Sequence, residues 1–143
     1  MSLENEVRSA SEQFYSALNR MAKGEAGAMN GVWSHCTGAT ALHPIGGRDV
    51  GWDKIGSSFD NVAGIASGGE IRLKDQLIQV NGDLAYEVGT EEGTLTLGGL
   101  KVPIEHRVTN IYRREASGWK VVHHHTDASP AMMDVLARLQ GKA

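Results

Sequence analysis

The sequence predicts an α+β fold, in which helices come first along the chain and an antiparallel sheet follows. Near the N-terminus, apolar residues recur at spacings of three and four, which is the period of an amphipathic helix. From residue 70 onward, apolar and polar residues alternate, which is the period of a strand. Tight-turn signals separate the strand-like runs, so consecutive runs are predicted to pair as antiparallel neighbours.

The helical part of the chain is predicted to contain three segments. The first is an amphipathic helix from about residue 3 to 22, which Ser2 can cap and Gly24 can end. A second, short helix is predicted over residues 25 to 33, and a third over about residues 50 to 63. Each segment carries apolar residues that can face a common core.

The strands are bounded by turn and loop signals. Residues 40 to 43 are predicted to form a short strand, and residues 64 to 69 a loop. Four long strands follow, at residues 71–80, 84–97, 101–114 and 119–126. In the first of these, the apolar positions change face between Leu77 and Ile78, which indicates a bulge or a strand with two apolar faces. A last helix is predicted to begin at Ser129-Pro130.

Composition limits the classes of function. At 143 residues, the chain is predicted to be a single domain, 1–143. A net charge of −3 without a basic block argues against nucleic acid as a partner, and no apolar run is long enough for a membrane span. The N-terminus does not have the pattern of a signal peptide, so a cytoplasmic location is expected. The single cysteine, Cys36, excludes an internal disulfide and a cysteine-only zinc site.

The last two strands place ionisable groups among apolar ones. With regular alternation, Arg107 shares a face with Ile111, and His123 and His125 share a face with Val121. Ionisable groups on the core side of a sheet must be paired or must line a cavity, so this pattern predicts a pocket. The pattern depends on register, because a slip of one residue would exchange His123 and His125 for their neighbours in the strand.

The strands also carry apolar residues on their second face. Val108 and Tyr112 alternate with Thr109 and Ile111 on one strand. An apolar outer face needs a cover, so we expect a homodimer that forms through the sheet.

Four stretches of the chain carry a family resemblance: residues 14–19, residues 42–47 with 50–52, residues 81–86, and residues 109–125. Together they resemble the nuclear transport factor 2-like superfamily, in its SnoaL-like or ketosteroid-isomerase-like branch. The last stretch is also similar to the association domain of calcium/calmodulin-dependent protein kinase II. The resemblance implies a cystatin-like cone, in which the N-terminal helices pack in a curved antiparallel sheet and leave a pocket at the wide end.

The resemblance further implies where chemistry would lie. His43 occupies the position at which the steroid isomerases carry a general-base Asp. Phe14 occupies the position of their hydrogen-bonding Tyr, and Tyr15 lies next to it. Arg107 and Asn110 fall in the stretch that carries their second oxyanion acid. This stretch has no carboxylic acid in the present chain, so the usual steroid-isomerase set is incomplete.

Several alternatives stay open for these residues. His43 is either a general acid/base or a half-buried histidine that bonds to the backbone. Arg107 binds either a ligand carboxylate or a resident partner such as Glu105 or Glu87.

Four aromatic residues are candidate walls for a ligand. They are Tyr15, Trp33, Trp52 and Tyr86. Packing in the core is the alternative role for at least two of them.

Three hypotheses for function result. The first is a small-molecule pocket protein that acts as a cofactor-independent isomerase, dehydratase or cyclase on a small apolar or carboxylate-bearing ligand. His43 would be its acid/base, and Arg107, with His123 or His125, would hold the oxyanion or carboxylate. The second is a non-catalytic homo-oligomerisation or ligand-sensing domain. The third is a metal-dependent hydrolase, in which His123 and His125 would ligate the metal together. Two imidazoles are too few for a zinc site, and the sequence does not place His43 or His106 as a third ligand, so no metal and no cofactor are expected.

Overall fold

Three helices and one six-stranded sheet make up the fold in the computed structural model, which describes residues 2–141. In chain order the elements are α1 (Leu3–Ala22), β1 (Thr40–Leu42), β2 (Arg48–Val50), α2 (Trp52–Ala63), β3 (Ala66–Asn81), β4 (Leu84–Leu97), β5 (Leu100–Glu115), β6 (Gly118–Thr126) and α3 (Pro130–Leu139). The strand order is β2-β1-β6-β5-β4-β3. β1 runs parallel to β6, and the other neighbouring strands are antiparallel. The predicted α+β class is confirmed.

α1 forms where the sequence places it, because its capping and its apolar stripe agree. The Ser2 hydroxyl accepts a hydrogen bond of 3.1 Å from the Asn5 backbone N–H, which satisfies one free donor of the first turn. The buried stripe includes Phe14 and Leu18, and it packs against β3, β4 and β6. The helix ends before Gly24, whose φ of 98° needs a residue without a side chain.

β3 contains an irregularity that decides which side chains face the core. Its pairing with β4 shifts between Lys74 and Leu77, and Asp75 has a φ of 56°. The extra residue turns Gln76 inward, while Leu77 points outward with 64% of its surface exposed. The predicted change of face is therefore a bulge, located a few residues earlier than the apolar pattern suggested.

A second bulge, in β6, exchanges the faces of the histidines. The pairs are Tyr112 with Val121 and then Ile111 with His123, so one extra residue lies between the two pairs. The first half of β6 bonds to the segment before β1, through Ser34 N–H to Val121 O at 2.9 Å, and the second half pairs with β1. After the bulge, His124 faces inward.

Two local predictions are wrong, and one short strand, β2, has no signal in the sequence. Residues 25–33 form turns and no helix, because Gly24 and Gly27 adopt positive φ angles and the Gly27 N–H donates to Asp60. The loop predicted at residues 64–69 is shorter, since β3 already begins at Ala66. β2 was not predicted, because its three residues carry no clear alternation. No helix within residues 2–141 has the length and apolar character that crossing a bilayer requires.

Candidate active site

A cavity of about 70 Å³ lies between the helices and the inner face of the sheet. Its apolar wall includes Leu18 from α1, Phe59 from α2 and Met132 from α3, with Leu95 and Ile104 from the sheet. Five polar residues also line it: His43, Ser58, Glu91, His106 and His124. An apolar cavity with a few converging polar groups is the usual form of a small-molecule site.

His43 lies just after β1 and is held by a carboxylate. Its Nε2 is 2.8 Å from Asp49 Oδ2, and the Ser58 hydroxyl donates to the same oxygen at 2.5 Å. Burial disfavours the charged form of Asp49, but the hydrogen bonds from Ser58 and His43 hold the pKa of this carboxyl below its ordinary value. Asp49 is therefore ionised at neutral pH and accepts the Nε2 proton, while Nδ1 of His43 has no hydrogen-bond partner among the described residues.

Glu91 and His106 form a buried pair on the sheet side of the cavity. His106 Nε2 lies 2.7 Å from Glu91 Oε1, and the Tyr15 hydroxyl donates to Glu91 Oε2 at 2.8 Å. Burial alone would raise the pKa of Glu91, yet the bond from His106 and the proximity of His124 lower it overall. Burial and Glu91 raise the pKa of Tyr15, so its hydroxyl remains a donor. His106 Nδ1 is buried and has no partner among the described residues.

His124 is anchored by an amide. Its Nδ1 lies 2.5 Å from Asn110 Oδ1, and the side chain is buried beside Phe14. Burial lowers the pKa of His124 to about 4, although Glu91 opposes this effect. The ring is therefore neutral at physiological pH.

The three cavity histidines share one arrangement. Each binds an acceptor through one nitrogen, namely Asp49 for His43, Glu91 for His106 and Asn110 for His124. The second nitrogen of each ring is left for a ligand or a proton. Such orientation by a partner fixes both the angle and the tautomer of an imidazole.

Arg107 does not reach this cavity. It lies on the outer face of β5, where 83% of its side chain is exposed, and it binds Asp127 through Nε at 2.8 Å and Nη2 at 3.0 Å. Hydrogen bonds from the side chain and backbone of Arg107 lower the pKa of Asp127 to about 2. The expected partner, Glu105 or Glu87, is thus replaced by a residue that follows β6.

His123 and His125 also point outward, because the bulge in β6 reverses the regular alternation. The His123 Nδ1 is 2.7 Å from the Thr40 hydroxyl, and the two imidazole rings lie 6.0 Å apart on the outer face. The expectation that these two histidines line the pocket is therefore corrected in favour of His124. No group of three or more His, Cys, Asp and Glu side chains within residues 2–141 is arranged to hold a metal ion.

The four aromatic candidates are dispersed. Tyr15 contributes its hydroxyl to Glu91, while Trp33 is buried in the core and does not line the cavity. Trp52 stacks on the exposed His35 outside the cavity. Tyr86 is 48% exposed on the outer face of β4, because it alternates with the inward-facing Glu87.

Sequence reasoning missed Glu91 and the orientation of His106, although a signal for both was present. On β4, Glu91 shares the phase of Leu95, and on β5, His106 shares the phase of Ile104 and Val108. Polar residues in phase with a buried apolar series are the ones that face the core. Asp49 had no comparable signal, because it lies on the short, unpredicted β2.

Comparison with solved structures places the fold. A candidate dehydratase of the NTF2-like family from Streptomyces avermitilis has a TM-score of 0.76 and 23% identity over 89% of this chain and 96% of its own. A candidate calcium/calmodulin-dependent protein kinase type II association domain from Thiobacillus denitrificans has a TM-score of 0.69 and 25% identity, covering 85% and 94%. A protein with a cystatin-like fold from Caulobacter vibrioides has a TM-score of 0.70 and 15% identity, covering 95% and 96%.

Comparison of the sequence itself gives the family. No curated protein is detectably similar to the chain. Residues 7–133, which include most of α1, α2 and all six strands, match the family described as the SnoaL-like domain. The resemblance drawn from the four sequence stretches is thereby confirmed at the level of fold and superfamily. The chain belongs to the SnoaL-like domain family, with the cystatin-like, NTF2-like fold.

Proposed function

We propose that this chain binds a small molecule in the cavity and catalyses a cofactor-independent proton transfer, as an isomerase, dehydratase or cyclase, with His43 as the general acid/base. The observation that carries the proposal is the 2.8 Å hydrogen bond between His43 Nε2 and Asp49 Oδ2 at the cavity wall. A carboxylate that orients one ring nitrogen leaves the other to exchange a proton with a ligand.

The sheet side of the cavity supplies a second group for such chemistry. Glu91 and His106 share a hydrogen bond of 2.7 Å, and both line the same cavity as His43. Proton transfer between two atoms of a ligand needs one group that removes a proton and another that stabilises or returns it. A solved relative that is named a candidate dehydratase agrees with this class of reaction.

Replacing His43 with glutamine is expected to reduce proton transfer by about 10²- to 10⁴-fold, because glutamine keeps a polar side chain of similar reach but cannot take a proton. The measurement is deuterium incorporation next to the carbonyl of cyclopentanone and hydroxyacetone in D₂O, followed by NMR against the buffer rate. His35→Gln is the matched control, since His35 bonds to the Asn30 carbonyl outside the cavity. Equal exchange rates in His43→Gln and wild type would remove His43 as the acid/base.

A second candidate function, homo-oligomerisation, is favoured by the outer face of the sheet. Leu77, Leu84 and Tyr86 are 64%, 50% and 48% exposed there. Tyr86 pairs with Ile111 on β5, so apolar groups continue across neighbouring strands. Exposed apolar patches of this kind mark association surfaces, and one solved relative is named a candidate association domain. We infer a homodimer that forms through this face, which is compatible with a cavity on the opposite face.

Placing a charge on this face is expected to convert the dimer to a monomer. Tyr86→Glu would force a carboxylate into an apolar contact, where its desolvation is not compensated. The molar mass is measured by size-exclusion chromatography with light scattering at micromolar concentration. Leu3→Glu, on a half-exposed position of α1, is the control that should keep the dimer. A wild-type monomer would contradict the assembly proposal.

A further inference from the structure

A chain of hydrogen bonds connects Arg8 at the surface with the cavity, and Glu87 accepts from both sides in its middle. The Arg8 guanidinium can only donate, and its Nη1 lies 2.5 Å from Gln76 Oε1. This contact fixes the orientation of the Gln76 amide, so its Nε2 points the other way. Gln76 Nε2 donates to Glu87 Oε2 at 2.5 Å and to the Ser11 hydroxyl at 3.2 Å.

The direction of donation reverses at Glu87, which accepts from Gln76 on one side and from Asn110 on the other. The Glu87 side chain is fully buried and also accepts from the Tyr112 hydroxyl at 2.8 Å. Asn110 Nδ2 donates to Glu87 Oε1 at 3.0 Å and to the Tyr15 hydroxyl at 3.1 Å. Since a carboxylate has only acceptor atoms, the Asn110 amide must turn its NH₂ toward Glu87. Its oxygen, Oδ1, is then left to accept from the opposite side.

His124 is the last member of the chain. Its Nδ1 faces Asn110 Oδ1, which is an acceptor, so Nδ1 must carry the proton. A neutral imidazole has one proton on its two nitrogens, and Nε2 therefore has a lone pair. Burial keeps the pKa of His124 at about 4, so this state persists over the physiological range of pH. His124 lines the cavity, and its Nε2 has no hydrogen-bond partner within residues 2–141.

We infer that His124 Nε2 is a fixed hydrogen-bond acceptor in the cavity, and that the ligand is a neutral, largely apolar molecule that carries a hydroxyl or N–H donor. The inference deepens the proposed function and rests on it, because it names the class of molecule that the same cavity binds. It selects the apolar ligand over the carboxylate-bearing one, the two alternatives that the sequence left open.

The remaining charges of the cavity agree with a neutral ligand. The Glu91 carboxylate lies in the wall, and its lowered pKa keeps it ionised. Arg107, the cation expected to hold a carboxylate, lies on the opposite face of the sheet. An anionic ligand would therefore enter beside a buried negative charge with Arg107 out of reach, which is unfavourable.

The first test reads the tautomer and needs no ligand. Long-range ¹H–¹⁵N NMR of uniformly ¹⁵N-labelled wild-type protein at pH 7 distinguishes protonated from bare imidazole nitrogens, and the His124→Phe spectrum identifies the signals of His124. We expect a proton on Nδ1 and a bare Nε2. A proton on Nε2, alone or together with one on Nδ1, would overturn the inference whatever the cavity binds.

The second test compares three probes of similar size by titration: phenol, toluene and benzoate. Phenol is expected to bind wild type at least as tightly as toluene, because its hydroxyl can donate to His124 Nε2. Without an acceptor, the buried hydroxyl would lower the affinity for phenol by about tenfold or more. Benzoate should bind at least about tenfold more weakly than phenol, since its charge is desolvated without a cation. In His124→Phe, the affinity for phenol should fall about tenfold relative to that for toluene, while toluene still binds.

The outcomes separate the inference from the proposed function. Toluene binding much tighter than phenol, or benzoate binding as tightly as phenol, would overturn the donor-bearing ligand while the pocket itself stands. Binding of none of the three probes would remove the small-molecule pocket and the ligand class together. The NMR result decides the state of His124 in every case.

Discussion

Replacing Glu87 with leucine is expected to lower the free energy of unfolding by about 3 kcal/mol or more. Glu87 is fully buried and accepts hydrogen bonds from Gln76, Asn110 and Tyr112. Leucine has a similar volume, so it creates little empty space, but it leaves these donors without their acceptor. Each unsatisfied buried donor costs about 1–3 kcal/mol, and removal of a buried charge offsets part of the sum. Urea denaturation followed by circular dichroism measures the change.

Glu92→Leu is the matched control for this experiment. Glu92 lies on the same strand, its side chain is 34% exposed, and it binds Lys74 at 3.0 Å near the surface. Surface ion pairs of this kind contribute about 0–1 kcal/mol, so the control should unfold at nearly the wild-type urea concentration. If Glu87→Leu is no less stable than Glu92→Leu, the buried network does not stabilise the fold in the manner described.

Acidification from pH 7 to pH 5 is expected to remove about 2 kcal/mol of stability through His124 alone. The pKa of His124 is about 4 in the folded protein and 6.5 by its ordinary value. Between these two values the unfolded chain binds a proton that the folded chain does not, so stability rises with pH in this window. The stability that the neutral His124 ring contributes is fully present above pH 6.5 and is lost as the pH falls toward 4. Over the full window it amounts to about 3 kcal/mol.

The variant His124→Phe tests the assignment. Its free energy of unfolding, measured in urea at several pH values, should depend less on pH between 7 and 5 than that of wild type. His123 has a pKa lowered by burial and by His125, so it adds a smaller effect of the same sign. Glu91, whose pKa is lowered in the folded state, contributes stability that is lost only at more acidic pH. A slope identical to wild type in His124→Phe would exclude the buried neutral ring as the cause.

The regular parts of the fold could be predicted because local signals agree there. In α1 the cap at Ser2 and the spacing of apolar residues give the same limits, and the paired long strands end near the predicted turns. The inner face of β5 could also be predicted, since His106 and Asn110 follow the phase of Val102 and Ile104. Arg107 alternates with these residues and therefore lies on the outer face of β5, away from the cavity.

The histidines of β6 could not be assigned to a face from the sequence. The bulge between Val121 and His123 exists because the two halves of the strand bond to different segments, one before β1 and one in β1. That division is a tertiary effect, and no residue of β6 predicts it from the local sequence. His43 lines the cavity, and its partner Asp49 depends on the pairing of two three-residue strands. Short strands carry too few residues for a period to be recognised.

The division of the cavity wall between helices and sheet has a consequence for how such a protein can evolve. Leu18 of α1 and Met132 of α3 give the cavity an apolar wall without hydrogen bonds of their side chains, whereas Glu91, His106 and His124 come from paired strands and are hydrogen-bonded there. A mutation in the helices can change which molecules fit and leave the bonded residues in place. Single substitutions in the helices can thus change the size and shape of the cavity while its hydrogen-bonded side chains stay the same.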